Sequence, residues 1–193
     1  MSRFPWAGHR SRAGHRTRAG AAVAAALALL TGCGVATTTG RLTPDAPSTM
    51  TVTSAAFSQG LLPQHFTCRG AKASPPLDWS GGPSGTKSYA IVVDDSAAPI
   101  TPYIYWIVFN IPEATTDVQA AQLPPGAEVA ENSLGQASYD PPCPHSPGHS
   151  YRFTVYALDS TLKLANGAPT LKAWQAIADA SIARGRIAVR ASP

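Results

Sequence analysis

The chain has 193 residues, 13% of them charged, with 16 glycines and 18 prolines. That length fits one domain of ordinary size, and sparse charge with turn residues spread throughout favours an all-β fold with long loops. The formal net charge of +4 belongs to residues 1–32, which carry Arg3, Arg10, Arg12, Arg16 and Arg18 and no acid; taking those five from the 15 basic residues leaves ten against 11 acids. The remainder is therefore close to neutral, and the basic balance gives no ground for nucleic-acid binding by the folded part. The sequence contains no internal repeat.

In chain order, the arginine-rich start leads into an apolar run at residues 21–30. The run is short for a bilayer span and small residues follow it, so it reads as a signal peptide, residues 1–32. No adjacent arginine pair occurs, which favours the general export route over the twin-arginine one. The run ends Leu30-Thr31-Gly32-Cys33 and resembles the bacterial lipobox. That resemblance implies a diacylglyceryl anchor on Cys33, cleavage just before it, and attachment to the outer face of the cell membrane. A soluble exported protein with a chance cysteine is the alternative. Residues 33–48 are rich in Thr, Pro, Gly and Ala, cannot bury a core, and read as a flexible tether. The globular domain is expected over residues 49–193.

Within the domain, Met50, Val52 and Phe57 sit in a short strand-like run, and Phe66-Thr67-Cys68 in a second. Pro75 and Pro76 extend the chain towards Trp79, a large aromatic suited to the core. Residues 87–95 and 104–111 are nearly continuous apolar runs bounded by turn residues, which predicts buried central strands. Residues 113–138 are loop-rich. Residues 139–148 hold Pro141, Pro142, Pro144 and Pro147, which fix φ and remove backbone donors. Residues 149–158 then alternate, with Tyr151, Phe153, Val155 and Ala157 on one side and Arg152, Thr154 and Tyr156 on the other, a strand signal. A stiff loop thus delivers His149 and Tyr151 to the mouth of a strand, an arrangement suited to a small polar pocket. A plain proline-rich connection with one surface histidine is the simpler alternative. Residues 170–183 predict the one clear helix. Leu171, Trp174, Ile177, Ala178 and Ile182 share its face, Thr170 can cap its start, and Gly185 follows its end. Ile187 and Val189 suggest a short last strand.

With Cys33 assigned to the lipobox, Cys68 and Cys143 remain as an even pair in an exported chain, and are expected to bridge. Two buried free thiols are the alternative. Neither cysteine has partners at zinc-site spacing.

Several motifs occur in a fixed order: Phe66-Thr67-Cys68-x-Gly70, Ser74-Pro75-Pro76-Leu77-x-Trp79, Asp95-x-x-Ala98-Pro99, Asn110-Ile111-Pro112, Asn132-Ser133-x-Gly135, and Tyr139-x-x-Pro142-Cys143-Pro144 leading to Gly148-His149-x-Tyr151. From about Met50 onward the chain resembles the phosphatidylethanolamine-binding protein family, in its bacterial Raf-kinase-inhibitor-like branch. The resemblance implies a two-sheet antiparallel β-sandwich with a C-terminal helix. It also implies one small pocket for phosphate-like groups such as a phospholipid headgroup, not known as a catalytic site; no cofactor and no metal are expected.

Carried over by position, that pocket holds Asp95, Tyr105, Pro142, His149 and Tyr151. Imidazole and phenol can both donate to anionic oxygens. Asp95 cannot attract an anion; its expected role is to hold an imidazole or a backbone donor, or to receive an ammonium group. Three positions depart from the family pattern. Ala97 stands where an Asp is usual, Tyr105 where a His precedes the aromatic, and Arg69 where an acid follows the first Cys. The pocket is thereby less titratable.

Two other function classes bear weighing. One is a protein-interaction module that inhibits an envelope protease or modulates a kinase. The other is a hydrolase with His149 as base, against which stands the lack of a Gly-x-Ser-x-Gly elbow or a triad with signature spacing. His65 and His145 read as surface residues.

Overall fold

The computed structural model describes residues 45–95, 102–143 and 149–191, the last without its side chain. The expected signal peptide, Cys33, the tether up to residue 44, Ala97 to Pro99, and Pro144 to Gly148 with His145 lie outside the described residues. Contacts begin ahead of residue 49: Ala46 is buried, and the Pro47 carbonyl accepts a hydrogen bond from the Arg184 N–H at 2.9 Å.

Two sheets and one C-terminal helix make the domain. The strands are β1 (Thr51–Thr53), β2 (Leu61–Leu62), β3 (Leu77–Ser80), β4 (Ser88–Asp95), β5 (Tyr103–Pro112), β6 (Asp117–Val118), β7 (Glu128–Val129), β8 (Ser150–Leu158) and β9 (Ser181–Ala191). Helix α1 (Thr170–Ala180) precedes β9. A three-stranded sheet has the order β1-β3-β6, and a six-stranded sheet the order β2-β9-β8-β4-β5-β7. Pairing is antiparallel except for the two-residue β2, which runs parallel to β9.

The two apolar runs are central strands because the large sheet is covered on both faces at β4 and β5. Tyr89, Ile91 and Val93 of β4 face a core shared with Val52, Leu77 and Trp79 of the small sheet. Ala90 and Val92 face a second core under α1, with Trp174 and Ile177. On β8, Tyr151, Phe153, Val155 and Ala157 enter the first core, and Tyr156 and Leu158 the second. Covered on both faces, β4 therefore reads as an unbroken apolar run from Tyr89 to Val93.

Several elements differ from expectation. Phe66 lies in a single 3-10 turn, Gln64–Phe66, not a strand. Pro63 at its start denies the backbone N–H that a strand ladder needs. The helix stops at Ala180, and β9 follows at once for 11 residues. Ile182 and Gly185 therefore belong to that strand. A Cβ on Gly185 would lie 2.6 Å from the Met50 carbonyl oxygen, so this glycine permits close approach of two backbones rather than ending a helix. Thr170 does not cap α1. Pro169 holds the cap position, and the Thr170 hydroxyl donates to the Glu131 and Asn132 carbonyls at 2.7 and 2.9 Å. Leu171 is 63% exposed; the buried face is Ala173, Trp174, Ile177 and Ala180.

Candidate functional site

Asp95 ends β4 in the middle of the large sheet, flanked by Tyr103 of β5 and Tyr151 of β8. Its side chain is 4% exposed, and its Oδ2 lies 2.5 Å from His149 Nδ1. A carboxylate only accepts, so Nδ1 carries the proton in this contact. The imidazole is thereby fixed in direction, and its other nitrogen faces a ligand as a donor when the ring is protonated and as an acceptor of a ligand O–H when it is neutral. His149 is 37% exposed, the accessible member of the pair.

Three phenols complete the cluster. The Tyr151 ring lies nearly parallel to that of His149, with centroids 6.3 Å apart. Tyr105 meets Tyr151 edge-on at 5.6 Å, and Tyr103 lies 4.7 Å from Tyr105. Tyr105 is aimed there by a bulge. The β4–β5 register passes from Val93 opposite Trp106 to Asp94 opposite Ile104, leaving Tyr105 as the extra residue. Ile104 consequently faces the helix side, while Tyr105 and Trp106 both pack against the sandwich core.

Burial, and after it the charge of Asp95, pushes the Tyr151 hydroxyl up to about 12. Burial and the hydrogen bond to Asp140 push Tyr103 up to about 12 as well. Tyr105 is raised further, chiefly by burial. All three phenols therefore remain O–H donors at neutral and mildly alkaline pH.

The proline-rich loop is pinned at several points. Asp140 N–H donates to the Tyr105 carbonyl at 2.9 Å, and Tyr103 O–H donates to Asp140 Oδ2 at 2.7 Å. The Tyr139 hydroxyl donates to the Phe66 carbonyl at 3.1 Å, and the Cys68 N–H to the Pro142 carbonyl at 3.0 Å. A Cys68–Cys143 disulfide closes the same junction.

Of the residues expected from the sequence, Asp95, Tyr105, His149 and Tyr151 are brought together. Pro142 is buried and held by Cys68, so it fixes the loop that carries Asp140. Tyr151 is only 1% exposed, and so forms the floor of the cluster rather than its rim. His65 is exposed, its ring edge against Phe66. Sequence reasoning missed Tyr103 and Asp140. The signal for Tyr103 was its spacing of two from Tyr105; Asp140, 37 residues further on, gave none. Asp94, next to Asp95, turns to the opposite face and pairs with Arg152. Among the described residues no group of three or more His, Cys, Asp or Glu could hold a metal ion.

Known proteins share the sequence pattern and fold of this chain. The family model described as phosphatidylethanolamine-binding protein matches residues 52–192. LppC of Mycobacterium tuberculosis, a protein named as a lipoprotein, is 39% identical over 156 residues, covering 79% of this chain and 77% of that one. A UPF0098 protein of Methanothermobacter thermautotrophicus is 41% identical over 115 residues, 57% of this chain and 76% of that protein. Among solved structures, Escherichia coli YbcL, described as a member of the mammalian PEBP family, superposes with a TM-score of 0.70 at 28% identity. That match covers 76% of this chain and 99% of YbcL.

Proposed function

The chain belongs to the phosphatidylethanolamine-binding protein family, and we propose that it is a lipid-anchored, non-catalytic binding protein of the cell envelope that takes small phosphate-like anions at the Asp95–His149–Tyr151–Tyr105 cluster. The observation that carries this reading is the His149–Asp95 contact at 2.5 Å, with the imidazole stacked on the Tyr151 phenol. It supports an oriented imidazole among O–H donors that stay protonated. A phospholipid headgroup and a free phosphate ester share the chemistry this cluster suits.

A charge-assisted hydrogen bond contributes about 1.5–3 kcal/mol, so His149→Ala should weaken binding about tenfold or more. Tyr105→His introduces a group that can become cationic, and should strengthen binding at mildly acid pH. Calorimetric titration of phosphate and of phosphoethanolamine into wild type and both variants checks this and separates the two ligand sources. If His149→Ala binds as well as wild type, the anion site lies elsewhere, and an interaction module becomes the better reading.

The anchor makes a separate prediction. Cys33→Ala should leave the protein unprocessed or release it from membranes, read by mass and by detergent partitioning. A variant that stays membrane-bound at unchanged mature mass would sink the lipoprotein reading. The homologue named as a lipoprotein supports the anchor; among the described residues no helix is long and apolar enough to cross a membrane.

A further inference from the structure

The outer face of β8 and β9 carries four arginines. Ala183 and Val189 of β9 enter the sandwich core and Ile187 packs against it, so Arg184, Arg186 and Arg190 project from the opposite face. Register places Arg184 opposite Tyr156, Arg186 opposite Thr154 and Arg190 opposite Ser150, with Arg152 opposite Ala188. Arg186 Nε donates to Thr154 Oγ1 at 2.8 Å, and Arg152 to Asp94 Oδ2. These contacts lay the side chains along the sheet, with Arg186 and Arg190 exposed and Arg152 and Arg184 half-buried.

Charge is segregated, not sprinkled. From residue 45 on, the chain has nine basic and 11 acidic residues. Four of its five arginines share this face, where Asp94 is the one acid on the paired strands. The rest of the domain then carries five basic residues against ten acids. A basic face on an otherwise acidic body is drawn to a surface of negative charge.

Where the chain enters the domain decides which surface. The Pro47 carbonyl accepts from the Arg184 N–H, Ser48 bridges Arg184, and the Met50 N–H donates to the Arg184 carbonyl at 3.0 Å. The polypeptide leading back to Cys33 thus joins the domain on the strand that holds three of the arginines. Cys33 and Asp45 are 12 residues apart in sequence, and a polypeptide of that length reaches at most roughly 40 Å. We infer that the Arg184–Arg186–Arg190 face docks on anionic phospholipid, as a second membrane signal beside the anchor. The inference rests on the envelope-lipoprotein reading for the nearness of that membrane. A basic patch with one lipid signal gives firmer attachment than either alone. Ser150 pairs with Arg190, so the docked face ends beside the His149 cluster.

Both hydrophobic cores are built from residues after 46, so the chain from residue 33 onward, with Cys33→Ser, contains the whole fold and no lipid. It should sediment with phosphatidylglycerol vesicles at low salt, leave them at high salt, and ignore phosphatidylcholine vesicles. One basic residue near such a surface is worth about fivefold, so joint Arg184→Gln, Arg186→Gln and Arg190→Gln should cut partitioning about a hundredfold. Lysine at the same three positions should retain it. If the glutamine variant fails to fold, the lysine variant and the salt and lipid dependence of the parent decide. Equal binding to both vesicle types, salt-insensitive binding, or unchanged binding by a folded glutamine variant overturns the inference. Retention on polyglutamate with no vesicle binding also overturns it, in favour of an acidic protein. Because this chain carries no lipid, its behaviour is independent of Cys33 processing, which the Cys33→Ala experiment reads.

Discussion

Replacing both Cys68 and Cys143 by serine should lower the unfolding free energy by about 4 kcal/mol. The bridge spans a sequence separation of 75 residues with its Cα atoms 5.1 Å apart. In the chain-entropy model a closure of that length removes much of the freedom of the unfolded chain, and the effect grows slowly with length. The folded junction has other ties: the Cys68 N–H to the Pro142 carbonyl, and the Tyr139 hydroxyl to the Phe66 carbonyl. These remain in the serine variant, so its folded shape should survive while its stability falls. Urea unfolding of the oxidised protein, the reduced protein and the double variant checks this. The last two should coincide. If reduction costs under about 1 kcal/mol, the unfolded chain is already restricted and the entropic account fails.

The same junction shows what the sequence disclosed and what it withheld. Parity of cysteines in a chain read as exported was enough to expect this bridge, because two thiols left over from the lipobox leave one pairing. The central strands were legible because they are covered on both faces and so read as unbroken apolar runs. β8 was legible by alternation instead, since Arg152 and Thr154 separate the residues that enter the first core.

The end of α1 was not legible. Ile182 continues the helical spacing, yet Ser181 is already extended, and Gly185 reports a close approach by Met50 from more than a hundred residues away. The apolar residues of α1 also misled about its buried face: Leu171 lies off the Ala173, Trp174, Ile177 and Ala180 face and lines an outer groove with Leu164 and Ala176. At the site, His149, Tyr151 and Asp95 could be proposed from their motifs. The aim of Tyr105 could not, since a bulge is a property of pairing between strands. Asp140 became visible only when the loop was folded back onto Tyr103.

A second bulge carries the other large effect. The β4–β5 register shifts between Tyr89 and Ile91, opposite Ile111 and Val108, and Asn110 lies in that gap at φ 56°. Asn tolerates this left-handed conformation better than most side chains; alanine there costs about 1–2 kcal/mol. The side chain also reaches across the sheet. Its Nδ2 donates to Glu128 Oε2 at 2.8 Å and to the Leu162 carbonyl at 3.0 Å, while the Leu162 N–H donates to its Oδ1 at 2.7 Å. Leu162 is nearly buried in the core under α1, so its backbone groups cannot readily turn to water. Leaving them unpaired costs about 1–3 kcal/mol. Asn110→Ala should therefore lose about 3.5 kcal/mol, the sum of the two central values. Asn110→Gly keeps the backbone conformation at little strain and loses only the bonds, about 2 kcal/mol. Urea unfolding of the pair separates the contributions. A glycine variant as stable as wild type would show that the three bonds add nothing and that conformation alone places Asn at this bulge. A glycine variant no better than alanine would show the reverse, that the side chain is kept for its grip on Leu162.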